Sequence, residues 1–355
     1  MNIVEKIKQY DNSDMFNVLK RFPEQIKEAV EIGQLFPGFS TRLKTNKIYL
    51  LGMGGSAIGG DLLSTYLSGH LKLNISIEVV RGYELPSYIS EEDSIIASSY
   101  SGGTEETIST LKAAINRKMN IIAITTGGKL YEIAQENNIE VIKIPDGYQP
   151  RCAVGYSFFP LLISIIKSLN LEQQIVEKVN SDIAETITCL DRASDIYSQT
   201  DSNLALNLAH EFKGFIPIIY ASYDKLGSVA VRWVRQIQEN AKHLAYYGLI
   251  PEMNHNEINS FDNPNEIITK LGVIILKDVD DNDRVKIRLK ALEKLLLEKI
   301  KLVKVLESTA LNSLARMFEL IYLGDWFSYY LAMVNDIDPT PIPIISKLKN
   351  MLFDY

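Results

Sequence analysis

Short apolar runs alternate with longer stretches of helical periodicity along most of the chain. Lys47–Leu51, Ile75–Val80, Ser94–Ser98, Ile121–Thr125 and Ile139–Ile144 read as strands, with a helix over Thr104–Arg117. The first strand runs into a glycine-rich turn at 52–55 and a helix predicted from Ser56. These runs lack polar alternation, so both faces of their sheet are covered, as in a parallel sheet joined by helices. A second series follows, with strands at Phe215–Ala221, Leu271–Leu276 and Val303–Leu306. Helices are predicted between them at Ser228–Ala241 and Asp283–Lys299, and after them over Thr309–Val334. The intervening stretch, Ala153 to about Gln199, reads as helical and polar along one side, suited to connect two lobes. Residues 2–35 are mostly helical with a break near Pro23, and the tail carries Pro339, Pro341 and Pro343 before a short helix. The expected architecture is α/β, two doubly wound parallel-sheet domains flanked by helices, with boundaries at 1–168 and 169–355.

Length agrees with that division, because 355 residues make two domains of ordinary size. Charge narrows the partners. With 37 basic and 44 acidic residues the net charge is −7, and no basic excess exists to displace counterions from a nucleic acid. A small anionic ligand is compatible, since one loop suffices to hold a phosphate. Two cysteines, Cys152 and Cys189, exclude a disulfide framework and a cysteine-built zinc site. Four histidines (His70, His210, His243 and His255) form no HExxH pair; no metal and no cofactor is expected. The amino terminus is charged throughout and has no apolar signal core. The most apolar stretch, Phe158–Ile166, is broken by Pro160 and Ser164 and falls far short of the roughly 20 residues that span a bilayer. The expectation is a cytoplasmic protein with no membrane partner.

Two loops carry the candidate chemistry. The first is Leu51-Gly52-Met53-Gly54-Gly55-Ser56-Ala57-Ile58-Gly59-Gly60-Asp61. Glycines after a buried strand let a ligand approach the backbone, and the helix that follows offers free N–H groups. Ser56, expected at the N-cap, either caps the helix or gives its hydroxyl to a phosphate oxygen. A dinucleotide fingerprint is only half matched, although an acid does follow at Glu78. The second loop, Ser98-Ser99-Tyr100-Ser101-Gly102-Gly103-Thr104-Glu105-Glu106-Thr107, again leaves a strand and opens a helix. Ser99, Ser101 and Thr104 bring three hydroxyls to one helix start, which suits a phosphate monoester better than a dinucleotide. A plain turn with a capping Thr104 would need only one of them. Gly55, Ser56, Ser99, Ser101 and Thr104 are therefore the candidate phosphate-binding set.

These two segments, GMGGSAIGGD and SYSGxTEET, resemble the sugar-isomerase (SIS) domain, and specifically the bifunctional phosphoglucose/phosphomannose isomerases. The resemblance continues through Arg81-Gly-Tyr83-Glu-Leu-Pro86, Pro150-Arg151, Glu239-Asn240-Ala-Lys242, Pro251-Glu252-Met-Asn-His255-Asn256, Asp338-Pro-Thr-Pro and Leu348-Lys349. It covers nearly the whole chain. It implies two SIS-type domains and a metal-independent interconversion of glucose 6-phosphate and mannose 6-phosphate with fructose 6-phosphate through a cis-enediol. One departure is Gly103, where the family usually has asparagine. The tail around Thr340–Pro343 is variable in the family and leaves the glucose/mannose balance open.

Aldose–ketose isomerisation needs one ionised carboxylate within reach of C1 and C2. The resemblance assigns that base to Glu239; by its neighbours alone it reads equally as a solvated acid. His255, an imidazole in a polar loop, is the candidate for ring opening, against a loop histidine bonded only to backbone. In the family the equivalent histidine comes from the partner subunit, which implies a homodimer. The resemblance implies that Arg151 steadies the enediolate, against a surface arginine after a proline turn. Lys349 corresponds to the family lysine that assists ring opening, with Lys347 as the fallback and a solvated helix face as the plain alternative. A non-catalytic SIS sensor of sugar phosphates is the rival function, and it has no need of Glu239, His255 and Lys349.

Overall fold

The computed structural model describes residues 2–39, 43 and 45–352. Three helices come first, α1 (Ile3–Tyr10), α2 (Met15–Lys20) and α3 (Phe22–Leu35). Next are β1 (Lys47–Leu51), α4 (Gly54–Ser64), β2 (Ser76–Val80), β3 (Ser94–Ser98) and α5 (Glu105–Asn116). β4 (Asn120–Thr125), α6 (Gly128–Glu136) and β5 (Glu140–Lys143) complete the first series, followed by α7 (Val154–Ser168), α8 (Gln173–Tyr197) and α9 (Leu204–Glu211). The second series is β6 (Ile216–Ser222), α10 (Tyr223–Asn240), β7 (Tyr246–Ile250), α11 (Asn265–Ile268) and β8 (Leu271–Lys277). It ends with α12 (Asp283–Leu297), β9 (Leu302–Glu307), α13 (Ser313–Val334) and α14 (Pro343–Leu352).

The chain forms two compact units. The amino-terminal unit comprises Arg21–Asp191 and Thr309–Phe318, and the carboxy-terminal unit comprises Met1–Lys20, Arg192–Ser308 and Glu319–Tyr355. In the first, five parallel strands lie in the order β2-β1-β3-β4-β5, with Leu51 level with Val80 on one side and Ala97 on the other. The chain leaves β1 towards β2 and later returns to β3 on the opposite side. The order therefore reverses between β1 and β3, the place where doubly wound sheets open a crevice for ligands. One sequence expectation is corrected here: the start of the 153–199 stretch is core, not a connection. Every residue of α7 from Val154 to Ile166 is buried, and a Cβ on Gly33 of α3 would lie 2.9 Å from the Pro160 Cα. Backbone-to-backbone packing this close is possible only because Gly33 has no side chain.

The carboxy-terminal unit holds four parallel strands in the order β7-β6-β8-β9. The part of its core around α13 is aromatic. Phe16, Tyr322, Trp326, Tyr329 and Tyr330 pack edge to face or stacked, and Phe327 lies between Phe212 and Trp233. A Cβ on Gly324 would meet the Trp233 indole at 2.4 Å, so glycine lets α13 close onto α10. The two helices are also joined by a buried ion pair, Arg232 to Asp325 at 2.7 Å, with Gln236 donating to the same carboxylate at 2.8 Å. Two further expectations are adjusted: α10 begins at Tyr223 rather than Ser228, and β7 is a strand where none was expected. Among the described residues no helix is long and apolar enough to cross a membrane.

Candidate active site

The first glycine-rich loop leaves β1 at the reversal point. Its helix starts earlier than expected: Met53 is the N-cap of α4, and Ser56 is its third residue. Ser56 therefore does not cap the helix. Its hydroxyl instead accepts the Tyr100 N–H at 3.1 Å, tying the loop after β1 to the loop after β3. The glycines also divide by task. Cβ atoms on Gly55, Gly59 and Gly60 would lie 2.5 Å from the Pro150 carbonyl oxygen, 2.6 Å from that of Ser157 and 2.8 Å from a Val79 methyl. Those three are glycines because neighbours press on them. Gly54 alone faces open space, at φ +52°, and with Gly55 it sits in the helix's first turn, where N–H groups lack intrahelical acceptors.

The second loop is built on buried hydroxyls. Ser99 is 1% exposed, and its Oγ lies 2.8 Å from Thr104 Oγ1. Thr104 occupies the N-cap position of α5 but its side chain does not cap, so the plain capping alternative fails. The exposed Ser101 hydroxyl accepts the Gly103 N–H at 3.3 Å. Gly102, at φ +68°, is pressed onto the loop after β4, where an added Cβ would lie 1.8 Å from the Gly127 carbonyl oxygen. Glycine is required there on both counts. Next to these groups a small recess, open to solvent, is lined by Gly55, Ser56, Ser98, Tyr100, Pro150 and Ser157, among others.

Two residues that sequence reasoning passed over organise this region. Tyr100 accepts the Tyr148 N–H and donates to the Pro145 carbonyl, both at 3.0 Å, bracing the segment that leads to Arg151. Burial pushes its hydroxyl up to about 12, so it stays a protonated donor. Gln25, 2% exposed, donates to the Cys152 carbonyl at 2.9 Å and accepts the Gly155 N–H at 3.0 Å. It thereby fixes the 3-10 turn Pro150–Cys152 that carries Arg151. Arg151 itself is 3% exposed and stands across from the first turn of α4, so it is no surface arginine. Thr107, in the third position of α5, is buried with no hydrogen-bond partner for its hydroxyl among the described residues. Tyr100 and Thr107 lay inside the serine-rich motif, whereas Gln25 lay in an ordinary amphipathic helix with nothing to single it out.

The remaining candidates belong to the carboxy-terminal unit. Glu239 is the half-buried penultimate residue of α10. His255 ends the 3-10 turn Glu252–His255 after β7 and is exposed. The turn that follows is anchored by the buried Tyr220 hydroxyl, which donates to Glu257 at 2.6 Å. Lys347 and Lys349 are both exposed on α14. The reversal point of this unit's sheet, between β6 and β8, bears the buried acids Asp278 and Asp281 instead of a hydroxyl cluster. Burial raises the Asp281 carboxyl above the usual range.

Family models match each half of the chain. Residues 43–149 match the SIS domain family, and residues 201–352 match the family described as bacterial phospho-glucose isomerase C-terminal SIS domain. A bifunctional phosphoglucose/phosphomannose isomerase from Caldicellulosiruptor bescii is 40% identical, over 95% of this chain and 98% of that one. One from Aquifex aeolicus is 33% identical, over 86% of this chain and 90% of that one. Among solved structures, a hypothetical protein from Thermus thermophilus superposes with a TM-score of 0.73 at 14% identity, over 99% of this chain and 93% of that one. That likeness is one of fold.

Proposed function

The chain belongs to the bifunctional phosphoglucose/phosphomannose isomerase family, and from that premise we propose how its residues divide the reaction. It is a sugar-phosphate isomerase. Its substrates are glucose 6-phosphate, mannose 6-phosphate and fructose 6-phosphate. The observation that supports this division is the link between the two loops at the sheet reversal point, Ser56 Oγ accepting from Tyr100 N. Gly55, Ser56, Ser99, Ser101 and Thr104 hold the phosphate with hydroxyls and helix N–H groups, which explains how a protein of net charge −7 takes a dianion. His255 and Lys349 open the ring by moving a proton between the ring oxygen and the anomeric hydroxyl. Glu239 carries the proton between C1 and C2, and Arg151 stabilises the enediolate charge. The enediol is planar at C2, so one base serves both epimers after a rotation that presents the opposite face. The enzyme works as a homodimer in the cytoplasm, with His255 contributed across the subunit interface.

A coupled assay with each aldose 6-phosphate in EDTA tests the reading. Both activities are expected to survive chelation undiminished. Loss of the mannose activity in EDTA contradicts a mechanism carried by side chains alone, and absence of both activities leaves only a sensor. The phosphate assignment has its own test. Ser99→Ala is expected to raise KM for both substrates about tenfold or more with little change in kcat, because a hydrogen bond to a charged group contributes roughly 1.5–3 kcal/mol. An unchanged KM removes Ser99 from the phosphate site.

A further inference from the structure

Lys242 closes the Glu239-Asn240-Ala241-Lys242 run, and the reaction scheme above gives it no task. It occupies the position just past α10, after the C-cap Ala241, at φ +50°. Helices commonly end in this left-handed conformation on glycine, which adopts it without strain. A lysine there carries backbone strain, and such strain persists where the side chain has a task.

The side chain has one. Its ammonium donates to three main-chain carbonyls: Asn240 at 3.2 Å, Asp338 at 2.8 Å and Pro339 at 2.7 Å. One acceptor lies beside Glu239 at the end of α10. The other two begin the proline-rich tail that leads to α14 and Lys349. Three acceptors match the three donors of an ammonium. Asp338 is held from other directions as well. Its carboxylate accepts from Asn12 Nδ2 at 2.9 Å and from Thr340 N at 3.0 Å. Asn240 is fixed by donating to the fully buried Ser328 hydroxyl at 2.9 Å. Farther along, none of the residues of α14 is buried, and Ile344 is 83% exposed.

We propose that Lys242 is a positioning residue, clamping the tail that carries Lys349 to the end of the helix that carries Glu239. The inference rests on the roles given to Glu239 and Lys349. Glycine and cysteine variants separate it from a merely structural role. Lys242→Gly keeps the helix stop and relieves the positive φ, yet removes the ammonium. Its kcat is expected to fall about ten- to a hundredfold, with KM within about threefold of the parent value, because misplacement of a catalytic group by an ångström has effects of that size. Hydrogen exchange at the Thr340 and Ser346 amides is expected to quicken by about tenfold, while the α13 amides stay protected. In Lys242→Cys, aminoethylation of the thiol rebuilds a lysine-length ammonium, and it is expected to restore at least about half of kcat. The same treatment of the parent enzyme controls for Cys152 and Cys189. Unchanged tail exchange overturns the clamp, and a loosened tail with unchanged kcat overturns the positioning role. Full activity in both Glu239→Gln and Lys349→Met instead overturns the assignment on which the proposal rests, and the exchange measurement still reads the clamp.

Discussion

Glu239→Gln is expected to lower kcat for both glucose 6-phosphate and mannose 6-phosphate by at least about a hundredfold, the usual worth of a positioned general base. The amide cannot accept the C1 or C2 proton, so both reactions fail together. Binding survives, because the hydroxyl loops belong to the amino-terminal unit whereas Glu239 ends α10 in the other. Competitive binding of fructose 6-phosphate should therefore stay within about threefold of the parent value, since removing a group that acts in the transition state leaves ground-state affinity alone. Coupled kinetics with each aldose measure the first effect and isothermal titration the second. Retention of roughly a tenth of kcat removes Glu239 from the role of base. Loss of one activity alone shows that the two epimers use different bases.

The largest expected effect on stability lies at the pair behind that helix. Arg232 and Asp325 are 3% and 4% exposed and bonded at 2.7 Å, with Gln236 completing the carboxylate's partners. Asp325→Asn leaves the guanidinium charged in a site closed to water, and breaking a buried pair this way destabilises by about 3–5 kcal/mol. The double variant Arg232→Met with Asp325→Leu removes both charges together. It is expected to recover most of that loss, because the desolvation penalty goes with the pair. Urea unfolding of the carboxy-terminal transition measures both. A single-variant change below about 1 kcal/mol means that water reaches the pair and the charge is not buried in solution.

How much of this was legible in the sequence depended on what each residue faces. Lys47–Leu51 and Ser94–Ser98 were read to the residue, because strands covered on both faces are uninterrupted apolar runs. β7 was missed for the opposite reason. It is an edge strand whose first two residues, Tyr246 and Tyr247, are exposed and whose centre is Gly248, so it shows no continuous apolar run. The start of α10 at Tyr223 was missed because its first turn holds no apolar stripe. α13 was read as a helix over Thr309–Val334 although it is buried around nearly its whole circumference and has no single apolar face.

The site was legible where chemistry concentrates unusual residues. The hydroxyl cluster of Ser99, Ser101 and Thr104 follows a buried strand and opens a helix, and the structure sets Ser99 and Thr104 within a hydrogen bond of each other. The glycine count was less informative than it looked. Gly55, Gly59 and Gly60 answer to packing against Pro150, Ser157 and Val79, and only Gly54 opens onto free space. Gln25 was invisible as an organiser because its partners are a main-chain carbonyl and a main-chain amide distant in sequence. A backbone partner leaves no mark on the residue type opposite.

The most direct test of a single proton-transferring base is isotopic. Fructose 6-phosphate is converted in D₂O through many turnovers, and C2 of each product is read by NMR. A carboxylate at Glu239 exchanges its captured proton with solvent, so both glucose 6-phosphate and mannose 6-phosphate should carry deuterium at C2, and Glu239→Gln should form neither. Products that keep protium at C2 after many turnovers would show hydrogen passing directly between C1 and C2, and would contradict an enediol mechanism for this enzyme.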